Sequence, residues 1–152
     1  LYGVLGLPAF RFYDVDNAEA VTTTGQTVIK STADMGNIKY NKELNTPDAD
    51  SNIYIDTDSV FFSAVPLMDK RYKDWKEKDQ DTIAGYVNEI AEEMQDYLND
   101  FYNILSKKIF NVDKDKHRLE IKKEYVAKAG LWIAKKQKKK YQIKFWHLKN
   151  LW

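Results

Sequence analysis

The chain has 152 residues, enough for one domain or for part of a larger one, and 43% of them are hydrophobic, so it can bury a core. It contains no cysteine, which excludes disulfides and thiolate metal sites and fits a reducing, cytoplasmic compartment. The formal net charge of +1 hides a segregation: residues 1–106 carry 9 basic and 19 acidic side chains, whereas residues 107–152 carry 15 basic and 4 acidic ones. The basic end is either the contact surface for a polyanionic partner or a solvated lysine-rich tail without one.

The first half of the chain is predicted to form an irregular segment, a long helix and a β-hairpin. Residues 1–12 combine apolar residues with two glycines and a proline, which indicates an irregular entry segment. Helical spacing of apolar residues predicts a helix over about residues 14–42. A polar turn at residues 45–51 and a hairpin at residues 52–64 follow. The small residues expected to pack closely on a sheet are Ala18, Thr22 and Gly25.

The second half is predicted to contain a linker, one strong helix and antiparallel strands. Residues 65–78 are charged and include a proline, which is typical of a linker. Residues 79–109 carry one apolar stripe at helical spacing. Alternation predicts a strand over residues 117–126, and residues 130–134 and 141–146 are further apolar or alternating runs. This order predicts an α+β fold in which helices pack on one face of an antiparallel sheet.

A run of six residues, Tyr54-Ile55-Asp56-Thr57-Asp58-Ser59, lies in the predicted hairpin between two apolar stretches. This arrangement would place both aspartates at the hairpin tip. Carboxylates suit Mg²⁺, which binds one or two of them together with substrate phosphates. The alternative is an aspartate-rich surface turn, since Asp and Ser are common in turns anyway.

The six-residue run resembles motif C of family B DNA polymerases, which has the pattern aromatic-any-Asp-Thr-Asp-Ser. Ile55 stands where glycine is common in that family. At the start of the chain, Leu1-Tyr2-Gly3 resembles the end of motif B, and the stretch after it is also similar to the family. The resemblance to a phage-type polymerase palm therefore involves several segments in the same order.

A basic segment near the end of the chain resembles the family's Lys-Lys-Arg-Tyr motif, which follows a glycine-aromatic entry. Two registers stay open. Counting forward from Gly130 places the motif at Lys135 and Lys136. Counting back from Tyr141 places it at Lys138, Lys139 and Lys140.

The resemblance implies nucleotidyl transfer assisted by two divalent ions, Mg²⁺ or Mn²⁺. Asp58 would be the principal metal ligand and Asp56 a secondary one, and both would be catalytic. Tyr2 would lie under the nascent base pair and check its minor groove; the alternative is an aromatic residue packed in the structure. Glu124 is a weaker candidate for the metal site, because a charged residue on a strand usually faces solvent.

The resemblance also implies two substrates, primer–template DNA and deoxynucleoside triphosphates. The lysines of the basic segment suit phosphate contacts, which position a duplex without reading its sequence. The DNA-binding candidates are Tyr2, Gly3, Lys135, Lys136, Lys138, Lys139, Lys140 and Tyr141.

Parts of the family's active site have no counterpart in this sequence. The motif A aspartate and the motif B lysine are absent, and the chain opens on an apolar segment without an initiator Met. We therefore expect residues 1–152 to be the C-terminal part of a palm, inactive without the N-terminal part of the polymerase, in the host cytoplasm and outside the membrane. The alternative is a non-catalytic, basic nucleic-acid-binding module in which the acidic hairpin is only a turn.

Overall fold

The computed structural model describes residues 2–56, 58–128, 130–136 and 140–146, and it divides the chain into two units, Leu1–Ser63 and Ala64–Trp152. Its elements are helices together with antiparallel strands. In the first unit a long helix packs on a two-stranded sheet. The predicted α+β class is therefore confirmed.

The first unit contains two helices, α1 (Tyr2–Leu5) and α2 (Val15–Leu44). The α2 helix begins after Asp14, whose carboxylate accepts a hydrogen bond from the Asn17 N–H (3.0 Å). It ends at Asn45, which adopts the left-handed conformation (φ 58°) that asparagine tolerates. The long helix is thus confirmed. The prediction of an irregular start is wrong for α1, a single helical turn that packs on α2.

The sheet of the first unit consists of β1 (Asn52–Asp56) and β2 (Ser59–Phe62), paired antiparallel as predicted. Asp56 pairs with Ser59, and the register shifts between Asn52 and Tyr54. One extra residue in β1 therefore forms a bulge, which bends a strand and re-aims its side chains.

The part of α2 that packs on this sheet differs from the prediction. Gly25 is exposed, and Thr22 uses its hydroxyl to bond carbonyls of its own helix. The buried positions of α2 begin only one turn later; they are Ile29, Thr32, Ala33, Gly36 and Tyr40. Small residues therefore do mark the contact with the sheet, but on the second half of the helix.

The second unit begins with α3 (Val65–Arg71) and a short 3₁₀ helix (Trp75–Glu77), where a linker was predicted. The linker prediction is wrong because Pro66 lies in the first turn of α3, where a missing backbone N–H costs nothing. Leu67, Met68 and Trp75 are buried, so this segment belongs to the core.

The predicted strong helix is confirmed as α4 (Gln80–Phe110), which begins after Asp79. The Asp79 carboxylate accepts hydrogen bonds from the Thr82 N–H (2.9 Å) and hydroxyl. Most of the apolar stripe lines the core, but Ile104 and Ile109 are 53% and 52% exposed. The buried members of α4 are Ile90, Met94, Leu98, Tyr102, Leu105 and Ser106.

The end of the second unit is a hairpin of β3 (Gly130–Lys136) and β4 (Lys140–Trp146), paired antiparallel as expected. The strand predicted over residues 117–126 is wrong. That segment has no strand partner, and side chains of α4 bond part of its backbone instead. Among the described residues, no helix has the length and apolar character needed to cross a membrane.

Candidate functional site

The acidic run occupies the end of the β1–β2 hairpin. Asp56 is the last residue of β1 and pairs with Ser59, the first residue of β2. Asp58 lies in the turn between them and is exposed. Thr57 lies outside the described residues. A carboxylate in this place is accessible to solvent and to any cation or substrate that approaches the hairpin.

The opposite end of the hairpin is fixed by an aromatic contact with α2. The Phe62 ring stacks on Tyr40, with ring centroids 5.9 Å apart and an angle of 17° between the planes. The same ring lies against Gly36, where an added Cβ would overlap it. Tyr54 and Phe61 form a second ring pair across the strands, at 6.0 Å. The helix therefore holds the strands that carry the acidic turn.

A hydrogen-bonded cluster fixes the residues that enter β1. The Asn37 side chain on α2 accepts from the Ser51 N–H (2.9 Å) and donates to the Asp50 carboxylate (2.8 Å). Asp50 also accepts from the Asn52 N–H (3.0 Å). The Asn37 amide, followed by the Asn52 N–H, lowers the pKa of Asp50 below its usual value. Asp50 is therefore held as a charged acceptor that orders the start of the strand.

A second amide, one turn later on α2, fixes the preceding turn. The Asn41 side-chain oxygen accepts from the Thr46 hydroxyl (2.8 Å) and the Ala49 N–H (3.0 Å). Neither Asn37 nor Asn41 was predicted from the sequence. Their spacing of four residues places them on one helix face, and asparagine has low helix propensity, so this pair was the available signal.

The donors at the hairpin fit a divalent ion that is shared with a substrate. Among the described residues, no three His, Cys, Asp or Glu side chains lie close enough to hold a metal by themselves. Asp58 has an exposed carboxylate, and carboxylate oxygens are hard ligands. Mg²⁺ accepts such a partial set, because it retains waters and binds substrate phosphates. Glu124, the weaker candidate, is exposed in the second unit.

The predicted DNA-contacting residues at the start of the chain lie in α1. Tyr2 is its first residue, and Gly3 is exposed, with room for a Cβ at its position. The turns that follow α1 return the chain to it, since the Asp14 N–H donates to the Leu5 carbonyl (3.0 Å). This bond joins the start of α2 to the end of α1.

Three of the predicted DNA-contacting lysines, Lys135, Lys136 and Lys140, are described by the structure and lie at one end of the β3–β4 hairpin. Lys136 pairs with Lys140, and Lys135 pairs with Tyr141. The two possible registers of the basic motif therefore converge on the same end of one hairpin. Lys138 and Lys139 lie outside the described residues.

Comparisons with known proteins agree with the resemblance of these segments. The family model for DNA polymerase family B matches residues 1–144 of this chain. A DNA-directed DNA polymerase of Enterobacteria phage T4 is 30% identical over 146 residues, covering 90% of this chain and 16% of that protein. A DNA-directed DNA polymerase of Escherichia phage RB69 is 27% identical over 159 aligned residues, covering 99% of this chain and 17% of that protein. The chain thus spans about a sixth of the length of these curated relatives.

Proposed function

This chain belongs to DNA polymerase family B, and on that premise we propose that it forms part of the palm of a DNA-directed DNA polymerase. Its substrates would be primer–template DNA and deoxynucleoside triphosphates. One observation carries the proposal: the motif-C-like run lies at the end of a hairpin anchored to a long helix, inside the region that the family model matches.

The chemistry we propose at the hairpin is in-line transfer of a nucleotidyl group. When bound, two divalent ions stabilise the attacking and leaving oxygens of such a displacement. Asp58 would hold them with its exposed carboxylate, assisted by Asp56. The contact of Phe62 with α2 limits movement of the strands, so the carboxylates stay in place during the reaction.

The DNA contacts we propose come from the β3–β4 hairpin and from α1. Lysines at residues 135–140 would neutralise phosphates, and Tyr141 would contact a sugar or base edge. Tyr2 would lie under the nascent base pair, and Gly3 beside it would contact DNA. The segregation of positive charge into residues 107–152 supports the first assignment, because a duplex is attracted to the basic end of the chain.

We further propose that other residues of the polymerase complete the active site. The two-ion reaction needs carboxylates beyond one hairpin, and the chain spans only about a sixth of its relatives. The exposed apolar side chains of Val4, Leu7 and Phe12, the last of them 65% exposed, would pack against that remainder. Alone the chain would be inactive. Since the relatives are phage proteins, we place the complete enzyme in the host cytoplasm.

The metal assignment is tested by titrating Mn²⁺ into the full chain and recording paramagnetic broadening of backbone amides by NMR. We expect weak binding that broadens the amides of Ser59 and Val60. The effect should disappear in Asp58→Asn and persist in Asp48→Asn, which removes an exposed carboxylate before β1. Equal broadening in the wild type and Asp58→Asn would remove Asp58 from the ligands.

The activity is tested by primer extension with the chain alone and with the rest of the polymerase supplied as a second polypeptide. We expect extension only by the pair, and none when the chain carries Asp58→Asn. Extension by the lone chain would contradict the shared active site. DNA binding without any Mn²⁺ effect at the hairpin would favour the non-catalytic binding module.

A further inference from the structure

One face of α4 carries polar side chains that do not belong to the acidic hairpin or to the apolar core. They recur at intervals of four, three, four and four residues, which places them along a single helix face. All of them contact the extended segment formed by residues 117–123, which we call the strap. These side chains belong to Asn88, Glu92, Gln95, Asn99 and Asn103.

The centre of the strap is held through its backbone. The Asn99 amide donates to the Ile121 carbonyl (3.0 Å), and its oxygen accepts from the Ile121 N–H (2.9 Å). The Gln95 oxygen accepts from the Lys123 N–H (2.8 Å). Backbone groups that a neighbouring strand would satisfy are thus satisfied by helix side chains. This explains why the segment is extended without being part of a sheet.

Both ends of the strap are also attached. His117 makes a contact of 3.0 Å from Nε2 to the Asn103 oxygen, while its Nδ1 accepts from the Leu119 N–H (3.2 Å). At the other end, the Lys123 ammonium donates to the Asn88 oxygen (2.9 Å) and the Glu92 carboxylate (3.0 Å). His117, Ile121 and Lys123 are therefore bonded to α4, and Leu119 is bonded to His117 within the strap.

The strap lies close in sequence to the basic hairpin. Only residues 124–129 separate it from β3, and six extended residues span at most about 20 Å. A strap held on α4 therefore confines the hairpin to a limited region next to this helix. A released strap would let the lysines move on a much longer tether.

We propose that Asn99 is a positioning residue for DNA binding, acting through the strap to hold the β3–β4 hairpin where several of its lysines reach phosphates together. This inference rests on the proposed DNA-binding role of the hairpin. The physical reason is preorganisation, because contacts made by a fixed hairpin lose less conformational freedom on binding than contacts made by a mobile tail. Asn99 is suited to this role because its single amide satisfies both backbone groups of Ile121.

The test uses Asn99→Leu in the full chain, which removes both bonds to Ile121 and changes no charge. Binding to a duplex is followed by fluorescence anisotropy at several salt concentrations. We expect weaker binding and a slope of log K against log salt that is shallower by about 0.9 for each phosphate that is no longer neutralised. Gln80→Leu, an equal change at an exposed position in the first turn of α4, should leave the slope unchanged.

A second measurement shows whether the strap has been released. Amide hydrogen exchange at Ile121 should be faster in Asn99→Leu than in the wild type. If amide exchange at Ile121 is faster but the salt slope is unchanged, the proposal is overturned. If the wild type itself does not bind DNA, the proposed function is overturned. If Asn99→Leu does not fold, Gln95→Met removes the bond to Lys123 and is expected to cause a smaller change of the same sign.

Discussion

At the scale of single residues, two glycines in α2 have opposite surroundings. An added Cβ at Gly36 would overlap the Phe62 ring, which also stacks on Tyr40 one turn further along the helix. At Gly25 nothing lies within 4 Å of such a Cβ. The first glycine therefore permits the contact between the helix and the acidic hairpin, and the second only weakens the helix.

The corresponding prediction is that Gly36→Ala destabilises the chain and Gly25→Ala stabilises it. Alanine improves helix propensity by about 1 kcal/mol at either position. At Gly36 this gain is opposed by overpacking, which typically costs about 1–3 kcal/mol. Chemical denaturation of both variants measures the difference.

The cause is tested by the double variant Gly36→Ala/Phe62→Leu, because a smaller side chain at position 62 removes the overlap. The free energy of unfolding of this double variant should fall by less than the sum of the losses caused by the two single substitutions. Gly36→Ala should also displace the NMR signals of the hairpin near Asp58. Equal stabilisation by Gly36→Ala and Gly25→Ala would contradict the contact between Gly36 and Phe62.

The sequence predicted the hairpin and the positions of its aspartates, but not the residues that hold it. Motif spacing identifies Asp56 and Asp58 without reference to the rest of the fold. The contacts of Gly36 and Asn37 depend on which half of α2 meets the sheet. Helical periodicity continues through both halves, so it could not distinguish them.

At the scale of elements, the helices were predicted best where a side chain begins them. Asp14 and Asp79 cap α2 and α4, and each is the first residue of the range in which its helix was predicted. The errors fall where a local pattern has two structural outcomes. Pro66 can end a helix or begin one, and the alternation over residues 117–126 fits any extended segment, whether its backbone bonds to a strand or to side chains of a helix.

The segment mistaken for a linker contains a buried tryptophan with a titratable partner. Trp75 is 3% exposed and donates its indole N–H to the Asp69 carboxylate (2.8 Å). This bond, assisted by Lys76, lowers the pKa of Asp69. A lowered pKa means that the bond stabilises the fold above the ordinary aspartate pKa, and that this stabilisation is lost as pH falls through the lower folded value.

We therefore predict that acid destabilises the wild type more steeply than Asp69→Asn. The asparagine retains an acceptor for the Trp75 indole but does not titrate. The free energy of unfolding, measured by denaturation between pH 6 and pH 3, should fall faster in the wild type. If the free energy of unfolding falls equally with pH in the wild type and in Asp69→Asn, then Asp69 has the same pKa in the folded and the unfolded chain.

At the scale of the whole molecule, acidic and basic side chains are separated along the chain. Residues 1–106 have a charge balance of −10, and residues 107–152 have a balance of +11. Family membership was predictable from a few short segments in the correct order, and the comparisons confirm it. The roles of individual site residues stay predictions, because they depend on contacts with DNA and metal ions.

The charge separation leads to a prediction about where DNA binds. Changing the five lysines of residues 135–140 to glutamine should weaken binding to a duplex of any sequence and flatten its salt dependence, by about 0.9 in slope for each phosphate that these lysines neutralise. A matched variant changes five exposed lysines elsewhere, which gives the same net charge. These lysines are Lys30, Lys42, Lys73, Lys78 and Lys114.

The matched variant separates a local site from a general effect of charge. If the β3–β4 hairpin is the contact surface, only its own lysines determine the slope, and the control should retain a slope close to that of the wild type. If both variants flatten the slope equally, DNA is attracted by net charge alone, and the hairpin has no special place in binding. Phosphate contacts do not read bases, so both results should be independent of the duplex sequence.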